Sequence, residues 1–545
     1  MTDWTDEHRL LSSHVDTAYY LEANPDVAAA GADPVAHFMT QGWREGRNPN
    51  PDFQVAYYLR ANGDVAAAGV NPLLHYLSAG KAEGRQPRRP LTEERTVVEA
   101  ASPARLSGGW DGAPDPEPDL NQTTLVRLLD RLAPRDASLI VAFSHDDCER
   151  NIGGVQNLVR AEASAFAQLG LSYLHVSPQR PHSFHSEFPA DRTTYSLRLN
   201  GKRLGATRAS DLLAALRRGD GGAPLVLVVH HLLHHSPEVV AQFTELDLAT
   251  TIFWVHDFLS VCPNYVLLRN DVSFCGGPPE DSGACTICAY GRDRARSRER
   301  IRRFFAAAAP QILAPSESAL SVWRKAAGLP YRAAAVQPLA RLNLSRTKPR
   351  ETPSGPIRVA HLGAPAMLKG WPTFRGLAAR FADDPRYRFY QLGHTSGRAR
   401  GVEYASVSVT RETPNAMIDA ITELGIDVIV NWSICSETFC FAAFESLAAG
   451  AAIVTHPNAG NVTALVRENR QHGLVVDDEG GLHALFGQGQ LAPFLSAGDR
   501  FRGSLIPEGG TATWLQETMD GRAVLRRLVR TDRIEAMSGI EVAGG

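Results

Sequence analysis

SETFCFAAFESLAAG, residues 436–450, places two glutamates, Glu437 and Glu445, around an otherwise apolar segment. Its alanines and leucine are good helix formers, and Gly450 is a typical helix terminator. Just upstream, IDVIV at 426–430 has the apolar composition of a buried strand. The pattern predicts a strand, a loop or first helical turn that contains Glu437, and a helix that carries Glu445 roughly 12 Å further along at 1.5 Å per residue.

The two carboxylates need partners in such an apolar setting. Sugar and ribose hydroxyls are natural donors to carboxylate oxygens, so one glutamate would hold a sugar ring and the other a ribose. The alternative is an acidic pair that is salt-bridged inside a package of helices. The spacing alone leaves both interpretations open, because short motifs often match by chance.

The residues after this segment extend the pattern. AAIVT at 451–455 predicts a second buried strand, and HPNAGN at 456–461 predicts a turn. The whole block resembles the signature of glycosyltransferase family 4, in which two glutamates are followed by Ala-x-Gly, a strand and a glycine-rich turn. The matching positions are Glu437, Glu445, Ala448, Gly450 and Gly460. The departures are Cys440, Asn461 and Ala464, which stand where the family has Gly, Gly and Glu.

Family 4 enzymes are retaining, have the GT-B fold and use nucleotide-activated sugars, so the resemblance implies the same properties here. It implies that Glu445 binds ribose hydroxyls and that Glu437 binds the donor sugar. The implied donor is a UDP-, GDP- or dTDP-linked sugar, and no catalytic metal is implied. The backbone that would surround the donor sugar belongs to Thr438, Phe439, Cys440 and Phe441.

Two glycines follow the first predicted strand of the α/β part. SLIVAF at 138–143 predicts that strand, and Gly153 and Gly154 open a helix that runs to about Leu169. Glycines at a helix start let backbone N–H groups approach an anion closely. Their position matches the family's glycine-rich loop beside the donor diphosphate, and a plain turn is the alternative.

A lysine occupies the corresponding place in the second half. The run IRVAHLG predicts a strand that ends at Gly363, and Pro372 suits the first turn of the next helix. Lys369 then lies near a helix N-terminus, where a cation is unfavourable unless an anion binds there. A diphosphate would supply that anion, and the family also has Lys-Gly here. An ordinary surface lysine is the alternative.

The family's arginine at this strand end is replaced by Ala364. Three outcomes follow from that replacement. Arg341 or another basic residue compensates, diphosphate binding is weaker, or the site is degenerate.

A histidine follows another predicted strand, TTIFWV at 250–255. This strand would deliver His256 to its carboxyl end, where ligands bind in α/β sheets. In the family a histidine here faces the transferred sugar or the acceptor, and that role carries over to His256. With Glu437 and Lys369 it makes up the predicted catalytic set. The alternative is a histidine that forms only structural hydrogen bonds.

Four of the seven cysteines lie in one span rich in Gly and Pro, at Cys262, Cys275, Cys285 and Cys288. In a reducing cytoplasm such clustering favours a structural zinc site, because four thiolates close a tetrahedral shell in a loop with little core. The first pair is spaced more widely than in zinc knuckles, so free or bridged thiols stay open as alternatives.

An arginine-rich run follows the cysteines. It would bind anionic lipid or a lipid-diphosphate acceptor, or it would form a solvated helix face, since Asp293 and Glu299 interrupt it. The arginines are Arg292, Arg294, Arg296, Arg298, Arg300, Arg302 and Arg303.

Length and composition fit a multidomain enzyme. The 545 residues suffice for about three domains, and 44% hydrophobic content supports substantial cores. A net charge of -3 argues against a bulk nucleic-acid binder. The acidic N-terminus lacks the shape of a secretory signal, and the apolar runs are short of membrane-spanning length. We therefore expect a cytoplasmic protein, with peripheral contact at the inner face of the membrane if the arginines bind lipid.

The N-terminal segment is a tandem repeat. The block YYL, DVAAAG and EGR begins at Tyr19 and recurs from Tyr57 at a constant offset. The units, about 14–49 and 52–87, each predict two short helices, with His37 and His75 in the core between helices. Similar repeats accompany some bacterial glycosyltransferases, which implies a docking or self-association module.

Beyond a linker rich in Pro and Gly, apolar runs alternate with helical patterns in two successive sets. This alternation predicts an α/β fold with two Rossmann-like domains that face a cleft. The predicted boundaries are 1–90 for the helical repeat module, 91–122 for a flexible linker, 123–345 for an N-terminal acceptor domain with a Cys-rich insertion at 262–288, 346–490 for a C-terminal donor domain, and 491–545 for a helical tail, with packing back on the N-terminal domain as one option.

The predicted function is the transfer of a hexose or deoxyhexose from a nucleotide sugar to a glycan, lipid-linked or protein acceptor. Because the family commonly builds cell-surface polysaccharide, exopolysaccharide or O-antigen assembly is the expected pathway. Two alternatives stay open: a sugar-nucleotide epimerase of the same fold, and a non-catalytic scaffold that acts through the repeats. The replacements at Ala364 and Cys440 are the reason for the second.

Overall fold

The computed structural model describes residues 4–87, 118–134, 137–150, 153–180, 189–217, 223–349, 353–393 and 399–528. The chain forms two compact units, Met1–Thr96 and Val97–Gly545. Most of the predicted linker at 91–122 and the last part of the predicted tail lie outside the described residues. Within the described ranges, each helix is too short or too polar to cross a lipid bilayer.

The first unit is helical, and its two halves repeat the same contacts. Tyr20 and Tyr58 are fully buried, and their hydroxyls lie 3.0 Å from Nδ1 of His37 and His75, respectively. The repeated aromatic and histidine positions therefore belong to the packing of the unit. Its α-helices are Trp4–Ser12, Thr17–Ala23, Pro25–Ala29, Pro34–His37, Val55–Ala61, Gly63–Ala68 and Pro72–His75, with π-helical turns at Phe38–Gly42 and Tyr76–Gly80.

An arginine closes each half of this unit. Arg47 donates two hydrogen bonds of 2.8 Å to the Asp26 carboxylate, and Arg85 contacts Asp64 at 2.8 Å in the same way. The hydrogen bond from Arg47 lowers the pKa of Asp26 to about 2. The repeated sequence thus reappears as a repeated set of contacts.

The first lobe of the second unit is built on an eight-stranded sheet. The strands occur in the order β10-β9-β6-β5-β1-β2-β3-β4; neighbours from β10 through β2 pair in parallel, and β3 pairs antiparallel with both β2 and β4. A separate antiparallel pair, β7 and β8, lies between β6 and β9 in sequence. The strands are β1 Leu139–Phe143, β2 Ser172–Pro178, β3 Thr194–Leu199, β4 Lys202–Arg208, β5 Leu225–Val229, β6 Leu248–Trp254, β7 Leu268–Arg269, β8 Ser273–Phe274, β9 Gln311–Ala314 and β10 Ala333–Val336.

This sheet separates two hydrophobic cores. Val141 and Phe143 of β1 belong to one core, whereas Ile140 and Ala142 belong to the other. Because both faces are buried, β1 and β5 consist entirely of apolar residues, as is typical of parallel strands. The helices of this lobe are Gln122–Leu132, Gly154–Gln168, Ala209–Leu216, Pro237–Gln242, Gly283–Thr286, Gly291–Ala308 and Glu317–Ala327, with a 3₁₀ turn at Phe243–Glu245.

The second lobe is built on a six-stranded, fully parallel sheet in the order β14-β13-β12-β15-β16-β17. Two further strands, β11 and β18, form an antiparallel ribbon. The strands are β11 Ala340–Pro349, β12 Ile357–Leu362, β13 Tyr387–Leu392, β14 Val402–Ala405, β15 Val428–Val430, β16 Ala452–Thr455, β17 Gly473–Val475 and β18 Phe501–Pro507. The helices are Trp371–Arg380, Ala416–Glu423, Phe441–Ala448, Asn461–Glu468, Glu479–Gly487 and Leu491–Ala497, with 3₁₀ turns at Met367–Lys369 and Arg470–His472.

The last two described helices pack on the first lobe. They are Thr511–Glu517 and Met519–Leu528. Trp514 and Leu515 are buried in the core that also contains Ile140 of β1. The fold is therefore α/β, with two Rossmann-like lobes preceded by a small helical unit, and the predicted fold class is confirmed.

Candidate functional site

The segment 436–450 folds as the sequence predicts. β15 ends at Val430, a loop follows, and the helix Phe441–Ala448 begins after Cys440. Glu437 lies in the loop and Glu445 lies in the helix. Because β15 is a central strand of a parallel sheet, this loop stands at the carboxyl edge where such sheets bind ligands.

Glu437 is fixed by the turn after β16. The backbone N–H of Asn461 donates to the carbonyl oxygen of Glu437 at 2.8 Å. Gly460 adopts φ +64° and ψ -123°, and a Cβ at this position would lie 2.6 Å from the backbone nitrogen of Glu437. A side chain at position 460 would therefore displace Glu437, and only glycine fits.

Lys369 and Glu437 form an ion pair at this edge. Lys369 Nζ lies 2.7 Å from Glu437 Oε1, which also accepts a hydrogen bond of 2.5 Å from Ser433 Oγ. Burial alone would lower the pKa of Lys369, but the attraction of Glu437 outweighs it and raises the pKa above its ordinary value. The Lys369 side chain is 41% exposed, whereas that of Glu437 is 8% exposed. A charged ammonium is thus held where a ligand can reach it.

A tight turn brings Lys369 to this position. Gly370 has φ +77°, and a Cβ there would lie 2.2 Å from the carbonyl oxygen of Trp432. The Lys-Gly turn therefore packs directly against the loop after β15, immediately before the helix Trp371–Arg380. Gly363 lies nearby in sequence at the carboxyl end of β12, with φ +86° and open space around the place of a Cβ.

Glu445 has different surroundings from Glu437. It is 9% exposed, and its carboxylate accepts no hydrogen bond from the residues that the structure describes. Burial raises its pKa to about 7. The alternative of a salt-bridged acid thus fits Glu437, which is paired with Lys369, but does not fit Glu445. A ligand that brings hydroxyl donors would satisfy this second carboxylate.

The loop also joins the two lobes. Thr438 Oγ1 donates to the carbonyl oxygen of His256 at 2.6 Å, and the carbonyl oxygen of Thr438 accepts from Ser316 Oγ at 2.7 Å. The Phe441 ring lies 3.7 Å from the place where a Cβ of Gly154 would stand. Two predicted residues of the first lobe, Gly154 and His256, are therefore brought against the predicted loop of the second.

The glycines of the first lobe lie at a helix start. Gly153 is the N-cap residue of the helix Gly154–Gln168, which follows β1. The structure thus places them at the carboxyl edge of the first sheet, as the sequence predicts. Their proposed contact with a diphosphate stays a prediction.

His256 is held by two aromatic side chains. Its ring stacks on Trp254 with an interplanar angle of 2° and a centroid distance of 5.0 Å, and its Nε2 lies 3.2 Å from His230 Nδ1. Burial, followed by the neighbouring histidines, lowers the pKa of His256 well below its ordinary value. The ring is therefore neutral near pH 7.

The remaining loop residues are largely packed. Phe439 stacks on Phe444 with ring centroids 4.5 Å apart. Cys440 is 6% exposed, and its sulfur accepts a hydrogen bond of 3.4 Å from Asn431 Nδ2. Burial raises the pKa of the Cys440 thiol to about 11. The residue that replaces the family glycine is thus a neutral, buried thiol.

Arg341, the residue named as a candidate to compensate for Ala364, is paired with two acids. Its guanidinium forms ion pairs of 2.7 Å with both Glu508 and Glu517. These acids neutralise the arginine, and Glu508 follows β18 in the antiparallel ribbon. Compensation by Arg341 would require these ion pairs to open, and all three outcomes expected from Ala364 stay predictions.

The prediction of a zinc site is not met by the structure. Among the residues that it describes, no group of three or more Cys, His, Asp or Glu side chains is arranged to hold a metal ion. Arg294 is 3% exposed and donates a hydrogen bond of 2.8 Å to Cys285 Sγ, so a cation occupies the position beside this sulfur. The cysteines Cys262, Cys275, Cys285 and Cys288 are free thiols that line one small cavity.

The arginine-rich run is the helix Gly291–Ala308, and it is partly buried. Arg294, Arg298 and Arg300 are each less than 7% exposed. Arg300 forms two hydrogen bonds to Glu238, at 2.6 and 2.7 Å. Neither sequence interpretation, a lipid-binding surface or a solvated face, anticipated that arginines of this run pack inside the lobe.

Several polar residues near the site were missed by the sequence reasoning. His231 Nε2 lies 2.5 Å from Asp257 Oδ2, and the His145 ring lies 4.7 Å from that of His231. These residues lie two or three positions after the ends of β1, β5 and β6. The signal was present in the sequence, because a His-Asp or His-His pair follows each of these three apolar strands within one intervening residue.

The chain has distant structural neighbours. Its sequence matches no model of a known protein family and no curated protein. Sucrose-phosphate synthase from Thermosynechococcus elongatus is 15% identical over 74% of this chain and 97% of that chain, with a TM-score of 0.42. The Anabaena protein HepE, in complex with UDP and glucose, is 11% identical over 74% and 99%, with a TM-score of 0.38. The pneumococcal O-GlcNAc transferase GtfA, in complex with UDP and GlcNAc, is 8% identical over 74% and 99%, with a TM-score of 0.39.

Proposed function

We propose that this protein is a glycosyltransferase that moves a sugar from a nucleoside-diphosphate sugar to a hydroxyl group of an acceptor. The observation that carries the proposal is the contrast between the two glutamates of one loop and helix. Glu437 is neutralised by Lys369 at 2.7 Å, whereas the buried Glu445 accepts no hydrogen bond from the described residues. A nucleotide sugar offers what this arrangement needs, because its hydroxyls suit the carboxylates and its diphosphate suits the lysine.

The donor would lie at the carboxyl edge of the second sheet. In this proposal Glu445 binds the ribose hydroxyls, and Glu437 with the backbone of residues 438–441 surrounds the sugar. Lys369 keeps one N–H on Glu437 and directs the others to the diphosphate, because an ammonium has three donors. Gly153 and Gly154 approach the diphosphate from the other lobe through backbone N–H groups.

The chemistry rests on stabilising the departing diphosphate. Negative charge develops on the bridging oxygen as the bond to the anomeric carbon breaks, and Lys369 lies ready to neutralise it. The N-termini of the helices Trp371–Arg380 and Phe441–Ala448 add favourable partial charge at the same edge. We propose that no catalytic metal takes part and that the anomeric configuration is retained.

The acceptor would enter from the first lobe. His256 and Asp257 stand at the end of β6, and Thr438 fixes the backbone of His256 against the donor side. A glycan, a lipid-linked sugar or a protein hydroxyl would satisfy this polar edge. We place the reaction in cell-surface polysaccharide assembly, in the cytoplasm or at the inner face of the membrane, with the N-terminal repeats as a docking or self-association module.

A transfer assay tests this proposal. The full chain would be incubated with UDP-, GDP- and dTDP-sugars and a panel of glycan acceptors, and the product would be analysed by NMR. We expect transfer with one nucleotide class, the same anomeric configuration in donor and product, and an unchanged rate in EDTA. Release of an isomerised nucleotide sugar without an acceptor would show an epimerase instead. Failure of every nucleotide to bind would show a scaffold.

A further inference from the structure

A buried carboxylate of the first lobe leads directly to His256. Glu162 lies on the helix Gly154–Gln168 and is 0% exposed. Its Oε2 lies 3.1 Å from His230 Nε2, and His230 Nδ1 lies 3.2 Å from His256 Nε2. The three side chains therefore form one chain of hydrogen bonds that begins inside the core and ends at the lobe interface.

The other neighbours of Glu162 show in which direction these hydrogen bonds run. The backbone N–H of Thr511 donates to Oε1 at 2.6 Å, and the Tyr173 hydroxyl donates to Oε2 at 3.1 Å. A backbone N–H can only donate, and an ionised carboxylate can only accept. As a carboxylate, Glu162 therefore accepts from Thr511, Tyr173 and His230, so His230 Nε2 donates and carries a proton.

The tautomer of His230 determines that of His256, the next ring in the chain of hydrogen bonds. When His230 carries this single proton on Nε2, its Nδ1 has a lone pair and can only accept. His256 must then donate from Nε2, so its own Nδ1 carries a lone pair. His256 is partly exposed, and no hydrogen bond from the described residues reaches this Nδ1. The rings of His230 and His256 both stack on Trp254, which fixes their orientation relative to each other.

We propose that Glu162 and His230 are positioning residues that set the tautomer of His256, so that Nδ1 accepts a hydrogen bond from a sugar hydroxyl in the cleft. This proposal rests on the proposed function for the identity of the ligand. A neutral ring with an exposed lone pair recognises a hydroxyl donor and repels a phosphate oxygen. His256 would therefore bind a hydroxyl of the transferred sugar or of the acceptor, and Lys369 would bind the diphosphate.

The first test measures the tautomer directly and needs no turnover. The full chain would be labelled with ¹⁵N at its 18 histidines, and the His256 signals would be assigned by their loss in His256→Gln. We expect a protonated Nε2 and an unprotonated Nδ1 in the wild type, with no change at Nδ1 on adding inorganic phosphate. A protonated Nδ1, or a phosphate-induced shift of it, would overturn the proposal.

The second test reverses the chain of hydrogen bonds. In Glu162→Gln the amide oxygen stays with the Thr511 N–H, so the amide nitrogen faces His230 and moves its proton to Nδ1. His256 would then carry its proton on Nδ1. Glu238→Gln is the matched control, since Glu238 is also an acid of this lobe but contacts Arg300. We expect the tautomer to switch only in Glu162→Gln. An unchanged His256 tautomer in a folded Glu162→Gln protein would contradict the proposal.

Steady-state kinetics then show whether the hydroxyl bound by His256 belongs to the transferred sugar or to the acceptor. A lost hydrogen bond of ordinary strength raises KM about fivefold. The KM of the donor would rise in Glu162→Gln if the hydroxyl belongs to the transferred sugar, and the KM of the acceptor would rise if it belongs to the acceptor. An effect confined to kcat, with both KM values unchanged, would contradict ligand recognition by Nδ1. If no substrate is turned over by the wild type, the proposed function fails while the tautomer measurements stand.

Discussion

Two glutamates in one short segment are held in opposite electrostatic settings. Glu437 accepts from an ammonium and a hydroxyl within 2.7 Å, so its negative charge is compensated in the free protein. Glu445 is equally buried, but among the described residues no donor compensates it. Free energy is therefore stored at Glu445 until a ligand supplies donors, as is common at functional sites.

Removing the charge at Glu445 should stabilise the free protein. Its folded pKa of about 7 lies above the ordinary value of 4.5. Because the pKa is raised, Glu445 is protonated below pH 4.5 and its burial then does not lower the stability of the folded protein. This stability is lost as the pH rises to 7 and the buried side chain ionises. At pH 8 the charged side chain then costs up to ~3 kcal/mol. We expect Glu445→Gln to raise Tm at pH 8 and to leave it nearly unchanged at pH 4.5.

Glu403→Gln is the matched control for this experiment, because Glu403 is exposed on β14. We expect its Tm to follow that of the wild type at both pH values. Equal Tm values for Glu445→Gln and the wild type at pH 8 would show that the Glu445 carboxylate is not strained in the free protein.

Single site residues could be predicted from the sequence only where a local pattern marks them. Such patterns are the Lys-Gly pair at Lys369 and the two glutamates at a fixed spacing. In the structure Lys369 forms an ion pair with Glu437. The link from Glu162 to Thr511 could not be predicted, because 349 positions separate them. The zinc prediction is not confirmed, and the hydrogen bond from Arg294 to Cys285 could not be predicted either, because the two residues become neighbours only in the folded loop.

At the scale of elements, the loop after β15 is the connection between the lobes. Thr438 donates through its side chain to the first lobe and accepts through its carbonyl oxygen from Ser316, the N-cap of the helix Glu317–Ala327. Movement of one lobe against the other must therefore break hydrogen bonds at the very residues proposed to surround the sugar.

Thr438→Val should weaken this connection while it preserves the shape of the side chain. One hydrogen bond contributes about 1 kcal/mol, so we expect a loss of about fivefold in kcat/KM. Thr438→Ser keeps the hydroxyl and should stay close to the wild type. Steady-state kinetics of both variants measure the effect. Similar kcat/KM values for Thr438→Val and Thr438→Ser would mean that the hydroxyl of Thr438 does not contribute to the connection between the lobes.

The turn at Gly460 should tolerate no side chain. In Gly460→Ala the new Cβ meets the Glu437 backbone, and the positive φ adds strain, so we expect a loss of stability of about 2 kcal/mol and impaired donor binding. Gly376→Ala is the control, because a Cβ at Gly376 meets nothing within 4 Å and the residue lies inside a helix. It should gain about 0.5–1 kcal/mol. Chemical denaturation measures both, and a neutral Gly460→Ala would contradict the close approach.

Strands and helices of the α/β unit could be predicted well because buried parallel strands are continuous apolar runs. The predicted strands at 138–143, 250–255 and 357–363 coincide with β1, β6 and β12 to within a residue or two. The antiparallel strands β3 and β18 were not predicted. β3 alternates polar and apolar residues, and β18 alternates half-buried and exposed positions, so neither is the continuous apolar run that marks a buried strand.

At the scale of the whole molecule, the first lobe is completed by residues from the far end of the chain. Trp514 is 2% exposed in the core beside β1, and the Trp254 indole N–H donates to Thr511 Oγ1 at 2.9 Å. The last helices are thus part of the first lobe, although the whole second lobe lies between them in sequence.

Trp514→Ala should therefore destabilise the α/β unit strongly. Truncation of a buried tryptophan typically costs about 3–5 kcal/mol through lost burial and the cavity left behind. Met519→Ala is the control, because Met519 lies at the start of the next helix and is 88% exposed. It should change stability by less than about 0.5 kcal/mol. Denaturant unfolding of both variants is the measurement. A mild effect of Trp514→Ala would mean that these helices are a dispensable appendage.

Calorimetric titration of nucleoside diphosphates into the full chain tests the central claim most directly. UDP, GDP and dTDP would each be titrated into the wild type, Glu445→Ala and the exposed control Glu403→Ala. The account predicts that at least one nucleotide binds the wild type and the control equally, and binds Glu445→Ala at least tenfold more weakly, about 1.4 kcal/mol. Equal binding by Glu445→Ala, or no binding of any nucleotide to the wild type, would contradict it.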